Sequence, residues 1–206
     1  MPKNKIQTKR LGKNQAKNQG KNNNTLRIIG GDWRSRKLPF IDALGLRPTP
    51  DRIRETLFNW LQGRVHGAKC IDMFAGSGAL GFEALSRGAA EVIFVEKNPA
   101  CAKQLIQNLN LLKTEMHVVQ SDALSFLNKI QKPNQAFDLV FLDPPYRQGL
   151  IEKALSYLSH EKLIDEHTLI YLEHESDEQF NWHDFGLEIL KEAKAGQVQS
   201  YLLKKS

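Results

Sequence analysis

The stretch AKCIDMFAGSGALG, residues 68–81, decides the fold. Its first half, AKCIDMF (68–74), reads as a buried strand. Glycines follow at positions 76, 78 and 81, and an apolar segment running to about Arg87 reads as a helix. Strand, glycine-rich turn and helix in that order begin a parallel α/β sheet. The alternation continues outward. EVIFVEK (91–97) is a strand, and a helix over 99–112 carries Ala102, Leu105, Ile106, Leu109 and Leu112. MHVVQSD (116–122) is a strand followed by a helix to about Ile130. FDLVFLDPP (137–145) is a strand, a helix lies near 148–159, and TLIYLEHE (168–175) is a fifth strand. Residues 186–204 read as an antiparallel hairpin turning at Ala195-Gly196. The expected fold class is α/β, with a mostly parallel central sheet, an antiparallel edge hairpin and helices on both faces.

Upstream of residue 68 the chain changes character. Residues 1–24 are rich in Lys, Asn and Gln, hold only Ile6 and Leu11 as larger aliphatics after the start Met, and read as a disordered basic tail that cannot form a core. TLRIIGGDWRSRKLPF (25–40) reads as two short strands joined near Gly30-Gly31. Thr49 as N-cap, Pro50 at the first position and Asp51 in the first turn start a helix to about Gln62. Three units follow: a tail (1–24), a hairpin-and-helix extension (25–62) and the sheet domain (63–206).

Charge divides along the same lines. The chain has 206 residues and a formal net charge of +6. Residues 1–37 hold eleven Lys/Arg against the single acid Asp32, whereas the remainder is net negative. A basic arm on a mildly acidic globule implies a polyanionic partner. With 41% apolar residues the chain can form a core. No apolar run reaches the ~18–20 residues of a membrane span, and the N-terminus has no apolar secretory core. Two cysteines, Cys70 and Cys101, make neither a disulfide framework nor a metal-ligand spacing; both read as buried, and no metal is expected. A cytoplasmic location fits these features.

Glycines at a strand-to-helix turn let the backbone approach a ligand, and the helix start offers free N–H groups. Gly76-x-Gly78-x-x-Gly81 satisfies the dinucleotide fingerprint, with Glu96 twenty residues after Gly76 where an acid can grip a ribose diol. At that point NAD and S-adenosylmethionine are both open. Two acids separate them. Asp72, inside the strand end, would repel a pyrophosphate and attract an ammonium. Asp122 ends the third strand in Ser121-Asp122-Ala123, where it can accept from an adenine amine. Asp72, Glu96 and Asp122 at three successive strand ends favour a cationic, adenosine-bearing, phosphate-free cofactor. The fourth strand ends in Asp143-Pro144-Pro145-Tyr146. Prolines there free carbonyls and fix a rigid extended turn. A carboxylate beside an aromatic suits an amino group on a flat ring: Asp143 and the Pro144 carbonyl accept from the NH₂ while Tyr146 stacks on the base.

DMFAGSGALG, VEKN, SDA and LDPPY in this order resemble a class I S-adenosylmethionine-dependent methyltransferase, which carries a Rossmann-like fold and modifies exocyclic amines. RIIGGDWRSRKLPF followed by LRPTPDRIRETLFNWL narrows this. It resembles the bacterial 16S rRNA guanine-N2 methyltransferases of the RsmD family, which modify guanine 966. The resemblance runs from about Leu26 to the C-terminus. It implies that Asp72, Phe74, Ala75, Gly76, Ser77, Gly78, Gly81, Glu96, Lys97, Asp122, Ala123 and Asp143 take S-adenosyl-L-methionine, and that Asp143, Pro144, Pro145 and Tyr146 take the target base. Arg27, Arg34, Arg36, Lys37, Arg47, Arg52 and Arg54 are the expected nucleic-acid-facing bases. The partner implied is 16S rRNA or a small-subunit assembly intermediate, and a monomer is expected. The rivals are an adenine-N6 DNA methyltransferase, sharing the Asp-Pro-Pro-Tyr turn, and a non-catalytic RNA-binding assembly protein. Trp60 is expected in the core, and Trp182 and His174 have no assigned role.

Overall fold

The computed structural model describes residues 24–41, 49–130, 135–160 and 163–206. Two short strands, β1 (Thr25–Arg27) and β2 (Lys37–Pro39), pair antiparallel in a sheet of their own. The main sheet has seven strands: β3 (Lys69–Asp72), β4 (Glu91–Glu96), β5 (His117–Gln120), β6 (Leu139–Leu142), β7 (Leu169–Glu175), β8 (Leu187–Ala195) and β9 (Val198–Lys205). Their spatial order is β5-β4-β3-β6-β7-β9-β8. The first five are parallel, and β9 runs antiparallel between β7 and β8. Chain order reverses between β3 and β6, which makes the carboxyl ends of these two strands the crevice where open α/β sheets bind ligands.

The period-2 alternation of each strand feeds two separate cores. Cys70, Leu139, Phe141, Leu169 and Tyr171 point to one face, under α1 (Asp51–Trp60), α2 (Ala79–Ser86), α3 (Pro99–Leu112) and the β1-β2 hairpin. Ile71, Val140, Leu142, Ile170 and Leu172 point to the other, under α4 (Ala123–Leu127), α5 (Leu150–His160) and a 3-10 turn at Trp182–Phe185. Both faces of the central strands are buried, which explains their near-continuous apolar runs.

The N-terminal extension is held by two means. Ile53, Leu57, Phe58 and Leu61 are buried, and full burial of each such side chain contributes roughly 1.5–3 kcal/mol. A polar anchor adds to this. The fully buried Glu83 of α2 accepts from the Ile29 N–H (2.9 Å), Arg87 Nε (2.8 Å) and Arg54 Nη1 (3.4 Å). Arg54 also donates to the carbonyls of Arg27 and Thr49 and to Asp51. The hairpin sits so close to α2 that a Cβ on Gly31, whose φ is +73°, would lie 1.8 Å from the Ser86 carbonyl oxygen.

Two local expectations are corrected. Pro50, not Thr49, is the N-cap of α1, and no side chain caps this helix, because the Thr49 hydroxyl turns toward Asp143 instead. The first hairpin has a longer connection than a turn at Gly30-Gly31. Past the paired strands the Ile28 N–H donates to the Arg36 carbonyl, and the Ser35 N–H to the Ile28 carbonyl. Trp182 is core, packed with Phe180, His174 and Tyr201. The expected tail, apart from residue 24, lies outside the described residues. Among the described residues no helix is long and apolar enough to cross a membrane.

Candidate active site

β3 ends at Asp72, whose side chain is 2% exposed. It accepts from the Gly81 N–H at 3.1 Å. Burial pushes its carboxyl up to about 7, against the pull of the Gly81 N–H, and the nearby charges of Asp143 and Glu96 add to the rise. It accepts from the Phe74 N–H as well as from that of Gly81. Among the described residues no cation pairs with it; a carboxyl buried in this way is costly, and it fits a ligand that brings a cation. Between Asp72 and α2 run Phe74, Ala75, Gly76, Ser77 and Gly78, with Gly78 as the helix N-cap in the left-handed region. A Cβ on Gly81 would lie 2.2 Å from the Phe94 ring, so only glycine lets α2 seat this close to β4.

Glu96, at the end of β4, is half-buried. Its carboxylate accepts from the Gly76 N–H at 2.7 Å and the Asn98 N–H at 2.6 Å. It therefore ties the glycine turn to the neighbouring strand end. Asp122, after β5, is the N-cap of α4 and accepts from the Leu124 and Ser125 N–H groups. Its other oxygen is 3.9 Å from the largely exposed Lys97 ammonium. Ala123, beside it, is buried.

β6 delivers Asp143 one residue past its end. Asp143 is half-buried and accepts from the Thr49 hydroxyl at 3.4 Å. Burial raises its carboxyl above the usual carboxylate range, and the Thr49 hydrogen bond opposes this. Pro144 is buried, Pro145 is exposed and Tyr146 is 38% exposed. The turn opens onto a cavity of about 350 Å³ lined by Pro144 to Glu152, Glu178 and Phe180. Arg147, with φ +59°, is fixed by Glu175 and Asp177.

The sheet register thus gathers what the sequence spaces 72 to 143. Asp72 pairs with Phe141, and Asp143 follows two residues on along the same face. Of the expected nucleic-acid-facing bases, Arg27, Arg34, Arg36, Lys37 and Arg52 are exposed, with Arg27 paired to Asp51 at 2.8 Å. Arg54 is a correction. It is 1% exposed and committed to Glu83, Asp51 and two carbonyls, because its position on α1 points inward beside Ile53 and Leu57. Arg47 lies outside the described residues. Cys70 and Cys101 are free and buried, and burial pushes both thiols up.

Sequence reasoning missed a second carboxyl. Glu173 on β7 is 3% exposed and lies beside Asp143 when the β6-β7 register is continued. Tyr171 donates to it at 2.7 Å. A glutamate inside the otherwise apolar TLIYLEHE run was the available signal. His174 is buried, stacked on Tyr201, with Nδ1 2.6 Å from the Glu175 carbonyl.

A seven-stranded sheet of this order, with a glycine-rich turn after its first central strand and an acid at the end of the next, defines a Rossmann-like class I methyltransferase fold. Residues 26–204 match the family described as Conserved hypothetical protein 95, and the chain belongs to that family, the RsmD family. The ribosomal RNA small subunit methyltransferase D of Escherichia coli K12 is 47% identical over 174 residues, 84% of this chain and 86% of that one. Its Haemophilus influenzae counterpart is 46% identical over 185 residues, 86% and 92% of the two chains. A solved putative methyltransferase from E. coli superposes with a TM-score of 0.79 at 45% identity, covering 89% of this chain and 99% of that one.

Proposed function

We propose that this protein transfers a methyl group from S-adenosyl-L-methionine to the exocyclic N2 of a guanine in 16S rRNA, guanine 966 by family resemblance. The observation that carries the reading is the meeting, at one sheet crevice, of a buried acid with no cationic partner among the described residues (Asp72) with Asp143-Pro144-Pro145-Tyr146. Relatives named as ribosomal RNA small subunit methyltransferases support the RNA substrate.

In this reading Asp72 takes the methionine ammonium and Glu96 the ribose hydroxyls. The turn from Phe74 to Gly81 takes the methionine end, while Lys97, Asp122 and Ala123 border the adenine. The bound cofactor supplies an electrophilic sulfonium methyl. The chain's own residues do the rest. Asp143 as carboxylate and the Pro144 carbonyl accept the amine hydrogens. Tyr146, rigidly carried by two prolines, stacks on the base, which must be unpaired or splayed out to reach it. The amine is weakly nucleophilic, so alignment and hydrogen bonding provide the rate enhancement. Residues 25–62 form the RNA-facing extension through Arg27, Arg34, Arg36, Lys37 and Arg52. The enzyme works as a cytoplasmic monomer on rRNA or an assembly intermediate.

The test is methylation of deproteinised rRNA and of small subunits, followed by nucleoside mass spectrometry and mapping. N2-methylguanosine at one site is expected, and N6-methyladenosine would overturn the reading in favour of an adenine methyltransferase. Asp143→Ala should lower kcat by at least ~10²-fold while leaving cofactor affinity within a few-fold. Full activity in that variant would remove Asp143 from the mechanism.

A further inference from the structure

Asp143 accepts the amine hydrogens most strongly as a carboxylate, yet its surroundings are hostile to a second negative charge. In the parallel β6-β7 pair Leu142 opposes Leu172, so Asp143 and Glu173 come next, side by side on one face. In the antiparallel β7-β9 pair Glu173 opposes Ser200. The row Asp143, Glu173, Ser200 therefore crosses three strands. Glu173 is almost wholly buried. Its hydrogen bond comes from the Tyr171 hydroxyl, which also lies 3.3 Å from Ser200 Oγ. Among the described residues no cation pairs with Glu173. The buried guanidinium of the extension, Arg54, is used on Asp51, Glu83 and two carbonyls. The groups facing this pair are Tyr171 from β7, Ser200 from β9, Thr49 ahead of α1, and the further acid Asp72 at the end of β3.

We propose that Glu173 is a positioning residue for methyl transfer: held by Tyr171 beside Asp143, it carries the pair's single proton, which leaves Asp143 as the carboxylate that accepts the amine hydrogens. Two adjacent carboxylates in a buried site do not both ionise at neutral pH. The proton resides on the more deeply buried member, whose charged form costs more. Burial and the Asp143 charge both raise Glu173, in agreement with this order. Once Glu173 ionises, its charge repels Asp143 and the amine acceptor loses its fixed place. This inference rests on the methyltransferase reading given above.

The experiment combines a turnover readout with one that needs none. With radiolabelled S-adenosylmethionine and small-subunit rRNA or small subunits, kcat is measured from about pH 6 to 9. Wild-type kcat should fall on an acid limb, from Asp143, and again on an alkaline limb, from Glu173. Glu173→Ala should lower kcat roughly 10- to 100-fold, with cofactor KM unchanged within about twofold. Glu173→Gln, a mimic of the protonated acid, should restore most of that loss and abolish the alkaline limb alone. In parallel, carbon-13 NMR of the glutamate carboxyls, with Glu173→Gln assigning the resonance, should show Glu173 still protonated at pH 7 in the cofactor-free protein. An ionised Glu173 at pH 6, or an alkaline limb that survives Glu173→Gln, would overturn the proposal while leaving the methyltransferase reading intact. Should Glu173→Ala fail to fold, those two results decide. Absence of any methylation by wild type would overturn the functional reading, and the proposal with it.

Discussion

Replacing Asp72 with Asn separates the cost of a buried acid from its use. The carboxyl sits at about 7 instead of 3.8 because it is buried. Each pKa unit corresponds to about 1.4 kcal/mol, so holding the charge at pH 8 costs the cofactor-free protein roughly 4 kcal/mol at most. Between about pH 4 and 7 the native state keeps a proton that the unfolded chain has released, so stability falls as pH rises through that window. Asn keeps an acceptor for the Gly81 N–H and removes the titration. Urea unfolding of cofactor-free wild type and Asp72→Asn should therefore coincide near pH 4 and diverge to pH 8, with the variant more stable by up to roughly 4 kcal/mol. Calorimetry should show the opposite for function. At pH 8 the variant should bind S-adenosylmethionine roughly 10- to 150-fold more weakly, the scale of a charged hydrogen bond of ~1.5–3 kcal/mol. Wild-type affinity should decline below pH ~7 as Asp72 protonates. A stability difference independent of pH would refute the assignment of the shift to Asp72, and pH-independent cofactor affinity would refute its pairing with an ammonium.

Glu96→Ala removes an acceptor from both the Gly76 and Asn98 N–H groups. Cofactor affinity should fall roughly 10- to 150-fold, with a measurable loss of thermal stability. Unchanged affinity by calorimetry would exclude Glu96 from the ribose site. Gly31→Ala places a methyl against the Ser86 carbonyl oxygen. It should cost roughly 1–3 kcal/mol and expose the β1-β2 hairpin to limited proteolysis, and a wild-type digestion pattern would count against the close docking. Deleting residues 1–24 removes seven basic side chains and no acid. Cofactor binding should persist while the log–log salt slope of RNA binding falls by about 2–4, at roughly 0.7–0.9 per lost phosphate contact. An unchanged slope would mean the tail touches no phosphate.

The sequence by itself determined the alternating elements of the sheet domain, since strand and helix periodicities are local properties of the chain. It also determined the strand-end acids Asp72, Glu96 and Asp122 and the Asp-Pro-Pro-Tyr turn, because parallel strands deliver their carboxyl ends to one edge whatever their order. What only the tertiary structure decided is which side chains face one another across elements. Arg52 and Arg54 look alike in sequence, yet the helical turn of α1 leaves the first in solvent and buries the second against Glu83, 29 residues away. Thr49 reads as a helix cap from its neighbours, but the packing of the extension on the sheet turns its hydroxyl to Asp143. Glu173 reads as one polar residue in an apolar strand. Its meaning comes from register, which depends on pairing between distant segments, and that pairing sets it opposite Ser200 and, one step past the end of β6, beside Asp143. Local sequence carries the period of an element, while the phase of one element against another is fixed only by the packing of the whole core.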